Sequence, residues 1–579
     1  MATSPDIPPA NVPQEAQVLI AGGGPSGLFL ALDLAARGIP SAVIEPRTTM
    51  DHTRPRAKTT NARTMTHLRR LGLADLLRDA SPLPVDYAQD VIFCTGLTGP
   101  AAHELRRFPN AFQLVPGRYG PQPECGQQVP QPVLEEVLRS VAADNPLVTF
   151  VTGWSVRRVT RVDGADVVPY AVVAANREGA ERTIRAEYVI GADGGSSAVR
   201  RSLGLRLEGG SAALSNISIL FRSGSLGPAI GLGPAVQYWV VGAETSGMVG
   251  PMDLAGTWWA IVQGVDPSVP VTDRDAAAMV RALVGSEVDI EVLATDPWTA
   301  RMLLAPEYSR DNVFLVGDAA HLNPPWGGHG FNTCIGDAAN LAWKLAAAIN
   351  GWAGPALLAS YGEERRPVAA RTIRDAADNG KALAYHFADP RLTADGPNGD
   401  AARAAAHAAL AVKQSEFDSL GLVLGYSYAD SSLVVPDALP VPAEDPIHYV
   451  PSANPGALLP HAWLADGTSL YSHLGTGFTL LADAGALAGV PAATLFEPVL
   501  AAAARTGIPV TVAVVGPSDD GTHLSQVWGA GTLLVRPDQH VAWRGNSAAA
   551  AGAALSVAAG WSPTSLESTR SARVDAVIP

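Results

Sequence analysis

The chain has 579 residues, 47% hydrophobic and 17% charged, a globular balance over a length that suits about three or four domains. Its 55 Asp and Glu outnumber 41 Lys and Arg, and the formal charge of −14 repels polyanions, which argues against nucleic acid and anionic membranes as partners. Three widely spaced cysteines, Cys94, Cys125 and Cys334, give neither a disulfide framework nor a metal site, so a reducing cytoplasm is the expected compartment.

Residues 1–16 lack the basic start and apolar run of a secretory signal and read as a proline-containing loose leader. No run of about 18 apolar residues escapes a charge or proline, so no membrane-spanning helix is expected. QVLIA at 17–21 reads as a buried strand, LFLALDLAARG as a helix stopped at Gly38, and IPSAVIE as a second strand. This unit begins a parallel sheet. YVIGAD (188–193) and NVFLVGD (312–318) are further strands, each with Gly and Asp at the carboxyl end, where such sheets bind ligands. From about 206 to 300, NISILF, AVQYWVV and TWWAIVQG are β-rich and aromatic, a second and antiparallel layer. Residues 355–412 read as helical past Pro367, where the missing N–H favours a kink. After a Pro- and Gly-rich connection at 436–460, FTLLADAG, AATLFEPVLAAAARTG, IPVTVAVVG and GTLLVRPDQHVAWRG spell strand, helix, strand and hairpin, and the Ala-rich run 548–559 a packed helix.

Gly22-Gly23-Gly24-Pro25-Ser26-Gly27 is a G-x-G-x-x-G between strand and helix, with Glu45 eighteen residues past Gly27 at the end of the next strand. There the glycines admit a pyrophosphate to the helix amino end, and Glu45 can accept hydrogen bonds from an adenosine ribose. The acid disfavours a 2′-phosphate, although Arg47 nearby keeps one open, and the motif alone does not separate NAD from FAD.

Asp318 ends a strand that runs through HLNPPWGGHGFNT into a helix capped by Asn332 or Thr333, with Ile335, Ala338, Leu341, Ala342, Leu345 and Ile349 on its buried stripe. Gly327, Gly328 and Gly330 leave the backbone uncovered at that helix's amino end, where roughly half a positive charge favours an anion such as the pyrimidine edge of a reduced flavin. Asp318 suits a polyol chain; an ordinary Gly-Asp turn is the alternative. Asp193, followed by Ser196, Ser197 and Arg200, is placed to brace the pyrophosphate side, with Arg200 on a nicotinamide's path or simply on the surface. His329 is a candidate hydrogen-bond partner or base for a phenol with a pKa near neutrality, or a structural loop histidine; His321 reads as structural. Because strand neighbours alternate faces, one of Tyr238 and Trp239 and one of Trp258 and Trp259 can face a flat aromatic ligand, core packing being the alternative.

Together, GGGPSG with Glu45, GADGGSSAVR, and LVGDAAHLNPPWGGHGFNTCIGDAANLAWKLA resemble the three fingerprints of class A flavoprotein aromatic hydroxylases, the para-hydroxybenzoate hydroxylase fold. PRAKTTNARTMTHLRRLGL (55–73) and QPVLEEVLR (131–139) match as well, and the resemblance spans at least residues 17–375. GYSYADSSLVVPD, ADGTSLYSHLGTGFTLL and RPDQHVAWR resemble the added C-terminal module of the three-domain branch acting on aromatic polyketides and phenols, and the PPWGGHGFNTCIGDA loop is most similar to tetracenomycin-type polyketide hydroxylases.

The resemblance implies an α/β protein with a Rossmann-like FAD-binding domain (1–90, 126–205 and 301–354) and an antiparallel-sheet substrate domain (91–125 and 206–300). It further implies a helical connection (355–412) and a thioredoxin-like C-terminal domain (413–579) in a monomer or homodimer. No Cys follows Cys334, so that last domain is expected to be structural or dimer-forming rather than redox-active. FAD is expected on Gly22, Gly24, Ser26, Gly27, Glu45 and Arg47, with Gln131 near the ribitol or flavin, Asp193 near the pyrophosphate and Asp318 on the ribitol. Gly330, Phe331 and Asn332 are expected under the flavin pyrimidine, with Pro325 and Gly328 as further FAD contacts. The implied reaction uses NADPH or NADH and molecular oxygen to form a flavin hydroperoxide that hydroxylates a phenolic, polyketide-like polycyclic substrate. Baeyer–Villiger insertion into a ketone, or a flavin-binding oxidase or resistance protein, are the alternatives. The chain departs from the family pattern at His329 and Phe331, where Gln and Met are common, and at Gly336, where Gln is commoner.

Overall fold

Parallel strands carry the first unit of the computed structural model, which describes residues 11–54, 57–162, 164, 168–242, 245–380, 387–487, 489 and 491–561. The first ten residues of the leader, Pro55, Arg56 and the KALAY end of the helical connection lie outside the described residues. Glu15–Ala21 is the central strand, with Ser41–Glu45 and then Val148–Thr152 on one side and Glu181–Gly191 and then Val313–Leu315 on the other, all parallel. Val18 to Ala21 are wholly buried, as a strand covered on both faces requires. The chain first builds outward on one side and then returns to the other. The crevice past Ala21 and Gly191 is therefore the point where strand order reverses, the usual ligand position in such sheets. Trp154–Arg161 and Tyr170–Asn176 form an antiparallel annex on the start of Glu181–Gly191.

The second, eight-stranded sheet runs in the order 321–322, 291–304, 208–222, 257–263, 247–251, 237–240, 91–94, 104–108. It is antiparallel except where Gln237–Val240 lies parallel to Val91–Cys94, because the intervening chain crosses to the first unit and back. Two of its features went unread in sequence. The long strand Glu291–Leu304 is largely half-buried and carries Asp296 and Pro297, so it lacks an apolar alternation. The helix Asp273–Val284 interrupts the β-rich stretch, although its capping box, Thr272 with Asp275, was a readable start signal.

The C-terminal sheet has the order 510–515, 478–483, 532–535, 541–545, one parallel and two antiparallel pairings, the thioredoxin-like arrangement expected. Helices Ala492–Thr506 and Ala548–Ala558 pack on it. No described helix is long and apolar enough to cross a membrane.

The helix Gly330–Ile349 ties these units together. It was expected to carry one buried stripe but is buried around most of its girth: one side packs on helix Pro25–Ala35, while Trp343 and Ala347 join Phe478 and Leu480 of the C-terminal sheet. Within the same junction Glu364 receives Arg536 at 2.6 Å and Lys344 at 2.7 Å, and Arg536 also bonds Asp538 at 2.7 Å. Burial pushes the Glu364 carboxyl up, but Arg536 and Lys344 outweigh it and hold the group well below the usual carboxylate range. Arg536→Leu, which takes the guanidinium from buried Asp538 and leaves Glu364 with Lys344 alone, is expected to cost about 3–5 kcal/mol in denaturant unfolding. In the unfolded chain Glu364 takes up a proton near about pH 4.3, so its contribution is present above about pH 5 and is lost on acidification. A stability curve flat from neutrality to about pH 3 would contradict this ionisation.

Candidate cofactor and substrate site

The first glycine motif folds because its glycines have no room for side chains. A Cβ on Gly27 would collide with the Gly22 carbonyl, and one on Gly22 with that of Ala192. Gly24 caps helix Pro25–Ala35 without a side-chain hydrogen bond and has open space where a Cβ would stand. The helix's first N–H groups are thus left for an anion arriving from the crevice.

Glu45 lies at the end of its strand as expected. Its Oε2 accepts from the Gly23 N–H at 2.7 Å, and its Oε1 takes the Arg47 N–H at 3.0 Å and the Arg47 side chain at 2.6 Å. Arg47 is also held by Glu135 at 2.9 Å, so a 2′-phosphate there would face two carboxylates, while Oε2 keeps accepting capacity for ribose hydroxyls. Gln131 opens helix Gln131–Ala143, and its amide donates to Glu135 at 2.8 Å, beside this cluster. Asp193 accepts the Ala198 and Val199 N–H groups at 2.6 and 3.2 Å through Oδ2, while Oδ1 is buried without a protein partner. Burial raises its pKa against the opposing Ser197 and backbone bonds. Arg200 lies neither on the surface nor across an open path: it is buried and donates to the Ala319 and Gly195 carbonyls at 2.8 and 2.6 Å, clamping two turns of the site.

The second motif meets the first directly. Gly317 sits at φ +63°, and a Cβ there would lie 2.7 Å from Ser26 Oγ and 3.0 Å from Cys334. Asp318 follows, exposed at the crevice. Asp337, which sequence reading missed, fixes this turn: it accepts the Gly317 N–H at 3.2 Å, His321 at 2.8 Å and Arg365 at 2.8 Å. Burial raises the Asp337 carboxyl, but Arg365 and His321 prevail and hold it below the ordinary range.

The loop before helix Gly330–Ile349 keeps its backbone role, and its side chains behave differently from expectation. Neither Asn332 nor Thr333 caps the helix; His329 is the cap residue, with no side-chain bond, and the Thr333 hydroxyl turns back to its carbonyl at 3.0 Å. Asn332 instead laces the loop to residues 59–61, donating to the Thr59 and Gly328 carbonyls at 2.8 and 2.7 Å and accepting the Asn61 N–H at 3.0 Å. Phe331 packs on the core of the parallel sheet, Pro325 is exposed, and a Gly328 Cβ would press on Thr59 at 2.9 Å. His329 is buried with Nε2 unpartnered, and burial lowers its pKa to about 4 rather than leaving it near neutrality. Burial thus favours the neutral imidazole here over a base that titrates near neutrality.

The strand alternation also resolves the aromatic pairs. Tyr238 and Trp258 point to the face covered by helix Asp273–Val284, away from the expected ligand; the Tyr238 hydroxyl is spent on the Gly233 carbonyl at 2.5 Å. Trp239 and Trp259 share the other face with Trp326 of the glycine loop. Trp239 is fully covered, stacked on Phe93 at 5.1 Å and edged by Phe417, which leaves Trp259 half-buried as the open ring. Trp298, half-buried on that face, was missed because its strand was.

The residues present fit a flavin dinucleotide: a glycine-floored helix terminus, a ribose acceptor, an orphaned buried carboxylate oxygen and a second helix terminus meet around one crevice. Asp318→Ala should lower the flavin-to-protein absorbance ratio while leaving apoprotein unfolding nearly unchanged; full occupancy would contradict the placement. Because His329 is already neutral throughout the range, His329→Gln should leave a pH–rate profile between pH 5 and 8 unshifted.

Comparison with known proteins agrees with this geometry. An FAD-binding domain family model matches residues 15–376, and an aromatic-ring hydroxylase C-terminal model matches 452–561. The chain is 33% identical to the FAD-dependent monooxygenase apdD of Emericella nidulans, covering 93% of this chain and 89% of that one. It is 31% identical to a putative polyketide hydroxylase of Streptomyces halstedii, covering 91% and 93%. Among solved structures, the rebeccamycin biosynthetic enzyme RebC with reduced flavin superposes with a TM-score of 0.83 at 33% identity, over 95% of this chain and 100% of that chain. A ternary complex of aklavinone-11 hydroxylase with FAD and aklavinone gives 0.78 at 27% identity, over 95% and 99%. The chain therefore belongs to the class A flavoprotein aromatic hydroxylases, the FAD-dependent monooxygenase family that includes polyketide hydroxylases.

Proposed function

We propose that this protein uses NADPH or NADH and molecular oxygen to hydroxylate a phenolic, polycyclic, polyketide-like aromatic. The observation that carries the reading is the meeting of Ser26, Gly317 and Cys334, together with Trp326 of the glycine loop on the same face of the second sheet as Trp259 and Trp298. Bound FAD would supply the electron transfer and oxygen activation. The chain's own part is to hold, orient and keep dry. Glu45, Asp193 and Asp318 would bind the dinucleotide, while the N–H groups of Gly330 and Phe331 offer positive charge to an electron-rich ring edge. The flat indole of Trp259 would stack a polycyclic substrate, and the Phe93, Trp239 and Phe417 cluster behind it excludes water. No protein nucleophile or titrating histidine is required.

The test is anaerobic mixing of the holoprotein with NADPH, with and without candidate phenols, followed by product mass after admission of labelled oxygen. Faster flavin bleaching with the phenol and one labelled oxygen in an intact ring system are expected; ring insertion or hydrogen peroxide alone would overturn hydroxylation. Trp259→Ala should raise KM for a responding aromatic about tenfold or more with FAD occupancy retained, whereas Tyr238→Phe, on the far face, should change it less than about twofold.

A further inference from the structure

The sequence has only four lysines, and two of the three described are neutralised in the interior: Lys344 by Glu364 at 2.7 Å and Lys413 by Glu416. Lys58 is the exception. No carboxylate pairs with it among the described residues; its Nζ donates to the backbone carbonyls of Val236 and Pro251 at 2.9 and 3.1 Å and stands 4.8 Å above the Trp259 ring. An ammonium has three N–H donors, so one is left over. Removing such a charge from water without an anion is costly, and burial lowers the Lys58 pKa to about 7.

Its position explains what the missing anion is. Residues 57–60 are extended against 127–131, with Val129 donating to the Lys58 carbonyl at 2.7 Å. Adjacent side chains there point to opposite sides. Thr59 stands where a Cβ on Gly328 of the glycine loop would fall, while Lys58 crosses to the open indole of the substrate sheet. The spare donor thus stands at the seam between cofactor loop and aromatic wall, where a ring stacked on Trp259 would bring a substituent.

We propose that Lys58 binds the acidic oxygen of the aromatic substrate, an ionised hydroxyl or a carboxylate on the ring, and so sets which aromatics are accepted and how they face the cofactor. The assignment rests on the aromatic-substrate reading above. It makes an oxyanion on the ligand the missing partner of the cation and predicts that neutral polycycles of equal shape bind weakly.

The experiment measures dissociation constants by flavin absorbance perturbation in holoprotein, for 1-naphthol, 1-naphthoate and 1-methoxynaphthalene, in wild type, Lys58→Met and Lys58→Arg. Wild type is expected to bind naphthol or naphthoate at least about tenfold more tightly than the methyl ether, and the stronger of the two identifies the oxyanion. Lys58→Met should erase that preference without changing the methyl ether's affinity, and Lys58→Arg should restore most of it. Naphthol absorbance should report the ionised form in wild type and the neutral form in Lys58→Met if the hydroxyl is the partner. If Lys58→Met fails to retain FAD, Lys58→Gln and Lys58→Arg carry the same comparison. Equal preference in wild type and the uncharged variant overturns the Lys58 assignment alone, whereas failure of all three probes to perturb the wild-type flavin overturns it together with the aromatic-site reading.

Discussion

The arrangement depends on one constraint: the helix Gly330–Ile349 must be covered on nearly every side while its amino end stays open. Cover comes from helix Pro25–Ala35, from Tyr361 and Arg365 of helix Ser360–Gly380, and from the C-terminal sheet through Trp343 and Ala347. With its body immobilised, the amino end and the Gly317 turn have fixed positions, and Asp337 transmits one to the other through its bonds to Gly317 and Arg365. The cofactor site is thus set by packing well behind it, and the C-terminal module contributes to that packing through Phe478 and Leu480.

Charge is handled in a matching way. Buried cations and anions are mostly matched in closed groups: Arg70 and Arg37 on Asp33, Arg47 between Glu45 and Glu135, and Lys344 and Arg536 on Glu364. Among the groups left incompletely satisfied, Asp193 Oδ1 lies at the carboxyl end of the parallel sheet and the third donor of Lys58 beside Trp259. A dry interior makes an unmatched charged group costly, so these two are the ones whose missing partner a bound small molecule could supply.

Much of this was legible in the sequence because it rests on local rules. Gly22, Gly24, Gly27 and Glu45 are spaced by the geometry of one strand–helix–strand turn, and the C-terminal strand, helix, strand and hairpin each announce themselves by apolar runs between turns. What was illegible depends on partners distant along the chain. The alternation rule limited Tyr238 and Trp239 to opposite faces, yet only the placement of helix Asp273–Val284 decides that Tyr238 belongs under it. Asp337 and Arg365 look like ordinary polar positions on their helices, and Asn332 like a helix cap, until residues 59–61 and 317 are brought beside them. His329 looked available for proton transfer because it lies in the flavin loop, but it is buried, and burial lowers its pKa.

The all-round burial of the central helix has a corollary. Trp343 packs on Phe478 and Glu364 pairs with Arg536, so loss of the C-terminal module would expose a large indole and leave the Glu364 carboxylate with Lys344 as its remaining cation.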